Sequence, residues 1–157
     1  MTIIVFSDLH GREPFMRAIL DKHRHADYVF FLGDGISSAE SLMREYEKPC
    51  FVGVKGNCDF LSDAPADMTL DIEGKRFFLH HGHTSGVKHG MGGAIAAARL
   101  HSADICLFGH THEPYLSYEQ ADGYPPLYLF NPGSIAAGSY GVIEVRGGEA
   151  LLSHGKI

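Results

Sequence analysis

Short apolar runs that stop at glycine-flanked polar residues constrain this chain more than any other feature. "TIIVFSD" (2–8), "DYVFFLGDG" (27–35) and "CFVGVKGNCD" (50–59) are rich in β-branched and aromatic residues, and the first two read as fully buried strands. Between them, the stretch from Glu13 to about His25 sets Phe15, Met16, Ile19 and Leu20 at helical spacing. A second helical stretch, 37–48, offers Ser37 or Ser38 as its N-cap. Strand, helix, strand, helix, strand predicts parallel pairing through right-handed crossovers.

The second half changes character. Residues 68–83 read as a hairpin around Glu73-Gly74-Lys75, 85–102 as one helix behind a glycine-rich lead-in, and 103–112 as another buried strand. Four short strands follow, separated by Gly and Pro turns, and predict an antiparallel tail with Gly147-Gly148 as a hairpin turn. No repeat, linker or low-complexity run interrupts the pattern, so one α/β domain over residues 1–157 is expected.

Composition narrows the function classes. No apolar run approaches the roughly 18 residues of a membrane-spanning helix, and "MTIIVFSD" reads as a strand rather than a secretion signal. Three cysteines, Cys50, Cys58 and Cys106, are an odd number and point to a reduced, cytoplasmic setting. A formal charge of −6 argues against a broad nucleic-acid-binding surface. Homo-oligomerisation is left open. Eleven histidines are the unusual count.

The chemistry-bearing residues share one location, the carboxyl end of an apolar run. Asp8 and His10 follow the first, Asp34 the second, Asn57 the third, His81 and His83 the hairpin strand, and His110 and His112 the next. Ligands of open α/β sheets bind beyond the carboxyl strand ends. Singly, each has a plain reading: Asp8 as part of a helix cap, Gly33-Asp34-Gly35 and Gly56-Asn57 as turns, His81-Gly82-His83 as a solvated hairpin end. The His110-Thr111-His112 spacing in extended chain points both rings to one side, which suits chelation. Jointly, imidazoles, carboxylates and one amide oxygen suit divalent ions such as Mn, Fe, Ni or Zn. Seven donors exceed one tetrahedral ion and match two ions sharing a carboxylate.

"DLH" (8–10), "GD" (33–34), "GNCD" (56–59), "HGH" (81–83), "GHTH" (109–112) and "NPGS" (131–134) stand in the order of the calcineurin-like metallophosphoesterases, and the chain resembles the YfcE-type phosphodiesterase and Vps29-like group among them. The resemblance implies a four-layer α/β/β/α sandwich of two mixed β-sheets flanked by helices. It implies two divalent ions, manganese first among them, with Asp8, His10 and His112 on one, Asn57, His81 and His110 on the other, and Asp34 bridging. It implies hydrolysis of a small soluble phosphate ester, most readily a diester, by a hydroxide that the ion pair activates. An interaction scaffold of the Vps29 kind is the alternative; the complete ligand set favours an enzyme.

Cys58 stands where many members of the wider superfamily have a histidine acid, and a thiol with an ordinary pKa near 8.5 is a poorer acid at neutral pH. His83 is the other candidate proton donor. His23, His25 and His154 read as solvated, His80 as structural on the far side of its strand, and His89 and His101 as without function. Asp59 and Asp63 read either as rim residues of the pocket or as solvated loop residues, and solvation is the simpler account.

Overall fold

The computed structural model describes all residues, Met1–Ile157. In chain order it runs β1 (Thr2–Phe6), α1 (Glu13–Lys22), β2 (Tyr28–Phe31), α2 (Ile36–Met43), β3 (Cys50–Gly53), β4 (Asp67–Ile72) and β5 (Lys75–His80). There follow α3 (Gly92–Leu100), β6 (Ile105–Leu107), β7 (Pro114–Glu119), β8 (Leu127–Pro132), β9 (Ser139–Arg146) and β10 (Glu149–Lys156), with one 3₁₀ turn at Ile135–Ala137. Every expected element is present, and most end earlier than the sequence suggests. The first helix stops at Lys22 and the third strand at Gly53, before the polar loops that carry the candidate residues.

The strands form two five-stranded sheets, ordered β10-β9-β1-β2-β3 and β4-β5-β6-β8-β7. β1, β2 and β3 pair in parallel, as the alternation predicted, and β5, β6 and β8 are parallel in the other sheet. The antiparallel tail needs correction. β8 pairs in parallel with β6 on one side and antiparallel with β7 on the other, and β9 leaves that sheet to pair antiparallel with β1. The antiparallel pairs β7–β8 and β9–β10 stand as expected, the latter turning at Gly147-Gly148 with φ of 56° and 77°.

Alternation along each strand assigns its two faces. In β1, Ile3 and Val5 join Phe30, Leu32, Phe77, Leu79, Ile105, Leu107 and Phe130 between the sheets. Ile4 and Phe6 face the other way, onto Met16, Ile19 and Leu20 of α1 and Ile36, Ala39 and Leu42 of α2. In the second sheet Phe78 and Cys106 pack outward against Ala94 and Ala98 of α3. Three apolar interfaces separate four layers, α/β/β/α, so strands buried on both faces appear in the sequence as unbroken apolar runs. No helix is long and apolar enough to cross a membrane.

The second helix is capped differently from expectation. Its N-cap is Gly35, at φ 117°, while Ser37 and Ser38 lie within the helix. The exposed backbone N–H groups of this end take their acceptor from elsewhere in the chain, as described below.

Candidate metal centre

Parallel pairing brings the carboxyl ends of β1, β2 and β3 to one edge of their sheet, and the ends of β5 and β6 meet them from the other. Hydrogen bonds extend the pairing into the loops: Asp8 N–H donates to Gly33 O at 3.0 Å, Leu9 N–H to Asp34 O at 2.9 Å, and Gly109 N–H to His81 O at 2.9 Å. Backbone conformation then turns the side chains inward. Asp8, His10, Asp34, His110 and His112 have φ of 55°, 42°, 63°, 67° and 64°, and they are five of the seven non-glycine residues with positive φ in the protein. L-residues enter this region at a cost of roughly 1–3 kcal/mol each, and persist there when the surroundings dictate it, typically at functional sites.

Two donor groups result. Ligand atoms of Asp8, His10 and His112 lie within 4.8 Å of one another, and so do those of Asp8, Asp34 and His81. Asp8 is common to both. His110 sits beside the second group, its ring 5.0 Å from that of His81, whereas the His112 ring is 5.1 Å from that of His10. The two histidines of "GHTH" therefore serve opposite ends of the cluster. The extended-chain geometry that would align them is absent, because both residues are left-handed. Asn57 is exposed, and its side-chain amide donates to Cys58 Sγ at 3.6 Å. His83 lies at the rim, 5.5 Å from the His81 ring and 6.0 Å from that of His110.

The electrostatics are those of a site built for cations. Asp8 is fully buried; its Oδ2 accepts from Ser7 Oγ at 2.5 Å and from His110 N–H at 3.1 Å, while Oδ1 has no hydrogen-bond partner. His81 Nδ1 is 2.7 Å from Leu32 O; a carbonyl only accepts, so Nδ1 carries the proton and Nε2 is left toward the carboxylates. That Nε2 is 3.3 Å from Asp34 Oδ2 and 4.0 Å from Asp8 Oδ1, yet makes no hydrogen bond. Of the three buried side-chain N or O atoms without a partner in the protein, these are two. Buried polar atoms are rarely left orphaned, so the imidazole nitrogens of His81 and, 3.1 Å from Asp8 Oδ1, of His112 turned onto unbonded carboxylate oxygens fit a cation held among them. Burial works against the ionised form of Asp34, but the adjacent His81 imidazole and the Cys58 N–H, 2.8 Å from its Oδ1, hold its carboxyl well below the usual range. Burial likewise opposes the charging of His81, and the neighbouring Asp34 and Asp8 outweigh it, raising its pKa.

Three glycines make the approach possible. A Cβ on Gly109 would overlap Ser7 Oγ and stand 2.9 Å from Asp8 Oδ2; one on Gly56 would strike Asp34; one on Gly33 would meet Gly56 N at 2.5 Å and His81 Nδ1 at 2.9 Å.

Several supporting residues departed from expectation. Asp59, read as loop solvation, is the acceptor for the start of α2. Its Oδ2 takes the N–H groups of Asp34 and Gly56, both at 2.8 Å, and its Oδ1 those of Gly35 at 2.9 Å and Ile36 at 3.3 Å. One carboxylate thus ties the loop carrying Asp34 to the loop carrying Asn57. Asn131 of "NPGS", fully buried, donates to Gly109 O at 3.0 Å and Thr111 Oγ1 at 2.9 Å, and Ser134 Oγ donates to Asp8 O at 2.9 Å. His154 is not a free surface group: its ring stacks on Phe130 at 4.6 Å and its Nε2 donates to Asn131 O at 2.7 Å. His23 contacts the Tyr140 hydroxyl at 3.1 Å, and His101 stacks on Phe78 at 4.6 Å. His80 is structural as expected, buried between Leu107 O at 3.2 Å and Ser85 Oγ at 2.9 Å. Cys58 is exposed, and partial burial together with the Asp34 carboxylate pushes its thiol pKa up.

Two mixed sheets between helices, with carboxylates and imidazoles gathered at parallel strand ends, define a metal-dependent hydrolase architecture. The chain belongs to the calcineurin-like phosphoesterase superfamily, whose domain model matches residues 1–155. It is 30% identical over 136 residues to the probable metallophosphoesterase YsnB of Bacillus subtilis (strain 168), spanning 86% of this chain and 75% of that protein. Among solved structures it is similar to a conserved protein of Streptococcus pneumoniae TIGR4 described as a predicted phosphoesterase, with TM-score 0.81, 26% identity, and 99% and 88% of the two chains covered. Wild-type Vps29 of Entamoeba histolytica, solved in complex with zinc, shares the fold at TM-score 0.73 and 19% identity over 99% of both chains. The family is one of metal-dependent phosphoesterases, and this chain carries candidate ligand groups for such an ion.

Proposed function

We propose that this protein is a phosphodiesterase with a dinuclear centre, acting as a single domain on a small soluble phosphate ester in the cytoplasm. The observation that carries the proposal is the pair of orphaned buried atoms, Asp8 Oδ1 and His81 Nε2, within a cluster whose backbone is held left-handed at five candidate ligands. Asp8, His10 and His112 would hold one ion, Asn57, His81 and His110 the other, and Asp34 would bridge them. When bound, divalent ions, manganese foremost, supply a water acidic enough to attack at neutral pH and neutralise the phosphoryl oxygens.

The chain's own groups account for the rest. Asp8 and Asp34 make the cleft anionic, so a phosphate ester is favoured there once cations offset them. The N–H groups that fix Asp8 and Asp34 leave one oxygen of each free for the cation. His83, at the rim beside His81 and His110, would hydrogen-bond the departing oxygen. Because Cys58 is a weak acid, esters with acidic leaving groups are favoured, and aryl diesters should turn over far faster than alkyl diesters.

The test is hydrolysis of bis(p-nitrophenyl) phosphate by protein stripped of metal and reloaded with manganese, alongside elemental analysis. Activity that appears with manganese, vanishes with chelator and accompanies two ions per chain supports the reading. Full activity in chelator, or full metal loading and turnover in Asp34→Asn, would overturn it.

A further inference from the structure

On the His110 side of the cluster, the loop after β5, the start of α3 and the first residues of β7 enclose a cavity of about 430 Å³. Its floor is apolar: Phe108, fully buried, lies with its ring 6.0 Å from that of Tyr115, and Met91 closes the side toward α3. Its rim is polar and carries Lys88, Thr111 and Glu113. Thr111, which lines the cavity, lies between His110 and His112 in the chain, so the rim is one residue from two candidate ligands.

The rim groups are unspent within the protein. Thr111 Oγ1 accepts from Asn131 Nδ2 at 2.9 Å and from Glu113 N–H at 3.3 Å, which leaves its own proton free to donate. The side chains of Lys88 and Glu113 enter none of the protein's ion pairs. Lys88, exposed on the loop after β5, brings an ammonium to the rim. A cavity of this size is in the range of small-molecule sites, roughly 300–1,000 Å³, where an apolar floor supplies contact area and a few polar groups fix orientation.

We propose that this cavity holds the organic part of the substrate, a flat nucleobase-sized aromatic ring joined through a sugar to the phosphate at the histidines. The proposal rests on the phosphoesterase reading and gives that site its substrate class. The ring stacks over the accessible face of Tyr115, which buried Phe108 backs from the core, Lys88 faces the phosphate, and Glu113 accepts from ring or sugar donors. Inorganic phosphate or a short alkyl ester would leave the aromatic floor wet.

The experiment compares adenosine 5′-monophosphate with ribose 5-phosphate, which differ only in the base, by calorimetric titration of the manganese-loaded protein. The nucleotide should bind more tightly by roughly 5- to 100-fold, the range of base–aromatic stacking. Tyr115→Ala should abolish that ratio while leaving ribose 5-phosphate affinity unchanged. Met91→Trp, which fills the cavity from its side, should do the same without truncating the floor. Lys88→Gln, on an exposed loop, should weaken both ligands by the same factor. Equal affinity for the two ligands in the wild type, or a ratio that survives both Tyr115→Ala and Met91→Trp, would overturn the assignment. A kinetic arm separates this from failure of the parent reading: thymidine 5′-p-nitrophenyl phosphate should show a KM at least tenfold below that of methyl p-nitrophenyl phosphate. Release of p-nitrophenolate from both with equal KM counts against the cavity alone, and release from neither counts against phosphoesterase activity.

Discussion

Removing the Asp59 carboxylate should loosen the candidate metal centre although Asp59 is no candidate ligand. Four backbone N–H groups converge on it, from Asp34, Gly35, Ile36 and Gly56. Hydrogen bonds to an ionised acceptor contribute roughly 1.5–3 kcal/mol each, but water can replace part of them in this half-buried loop, so Asp59→Ala should destabilise the protein by about 2–4 kcal/mol. Asp59→Asn is the sharper perturbation. Each carboxylate oxygen accepts two N–H groups, so whichever way the amide flips, its NH₂ faces two donors and costs about 1–3 kcal/mol. Oδ2 alone joins Asp34 to Gly56, so the same change should free the Asp34 loop from the Asn57 loop. Loss of such supporting contacts typically lowers metal affinity by about 10- to 100-fold. Urea unfolding of the metal-free protein gives the first quantity, and manganese titration of the folded protein gives the second. Variants with the wild-type urea midpoint and wild-type manganese affinity would refute the reasoning.

Gly109→Ala should cost about 1–3 kcal/mol in thermal or urea unfolding and displace Asp8, because the new Cβ has nowhere to go beside Ser7 Oγ and Asp8 Oδ2. Cys58→Ala should leave aryl diester hydrolysis nearly unchanged at full metal loading; a large drop in kcat would identify the thiol as a catalyst instead. His80 makes stability depend on pH, since burial pushes its imidazole down from 6.5 to about 4. The unfolded chain therefore takes up a proton that the folded one refuses. This contribution is complete above pH 6.5 and declines by up to about 1.4 kcal/mol per pH unit as pH falls toward 4. In urea titrations between pH 7.5 and 4.5, His80→Asn should lose that component of the acid dependence, and an unchanged slope would exclude it.

The candidate donors were legible because they interrupt the most readable signal in the chain. Asp8, Asp34, Asn57, His81 and His110 follow apolar runs, and parallel pairing gathers the ends of such runs whatever the details of packing. The alternation of strand and helix in the first half likewise implied parallel pairing through crossovers. These inferences rest on neighbours in sequence, where one residue's type limits the conformation of the next.

Where partners are distant in sequence, only the tertiary structure decided. Ser37 and Ser38 were plausible caps for α2, but the chain brings Asp59 to its first N–H groups from 23 to 25 residues away. His154 looked solvated because its partners, Phe130 and Asn131, lie in the other sheet. The tail strands alternate in a way that fits either sheet, and only the folded chain shows β9 between β1 and β10 rather than beside β8. The separation of His110 from His112 depends on two left-handed residues in a loop that Asp8 holds at the His110 N–H and Asn131 holds at Gly109 O and Thr111 Oγ1. Local residue types determined which side chains reach the strand ends of this protein; hydrogen bonds between remote segments determined which way each one points.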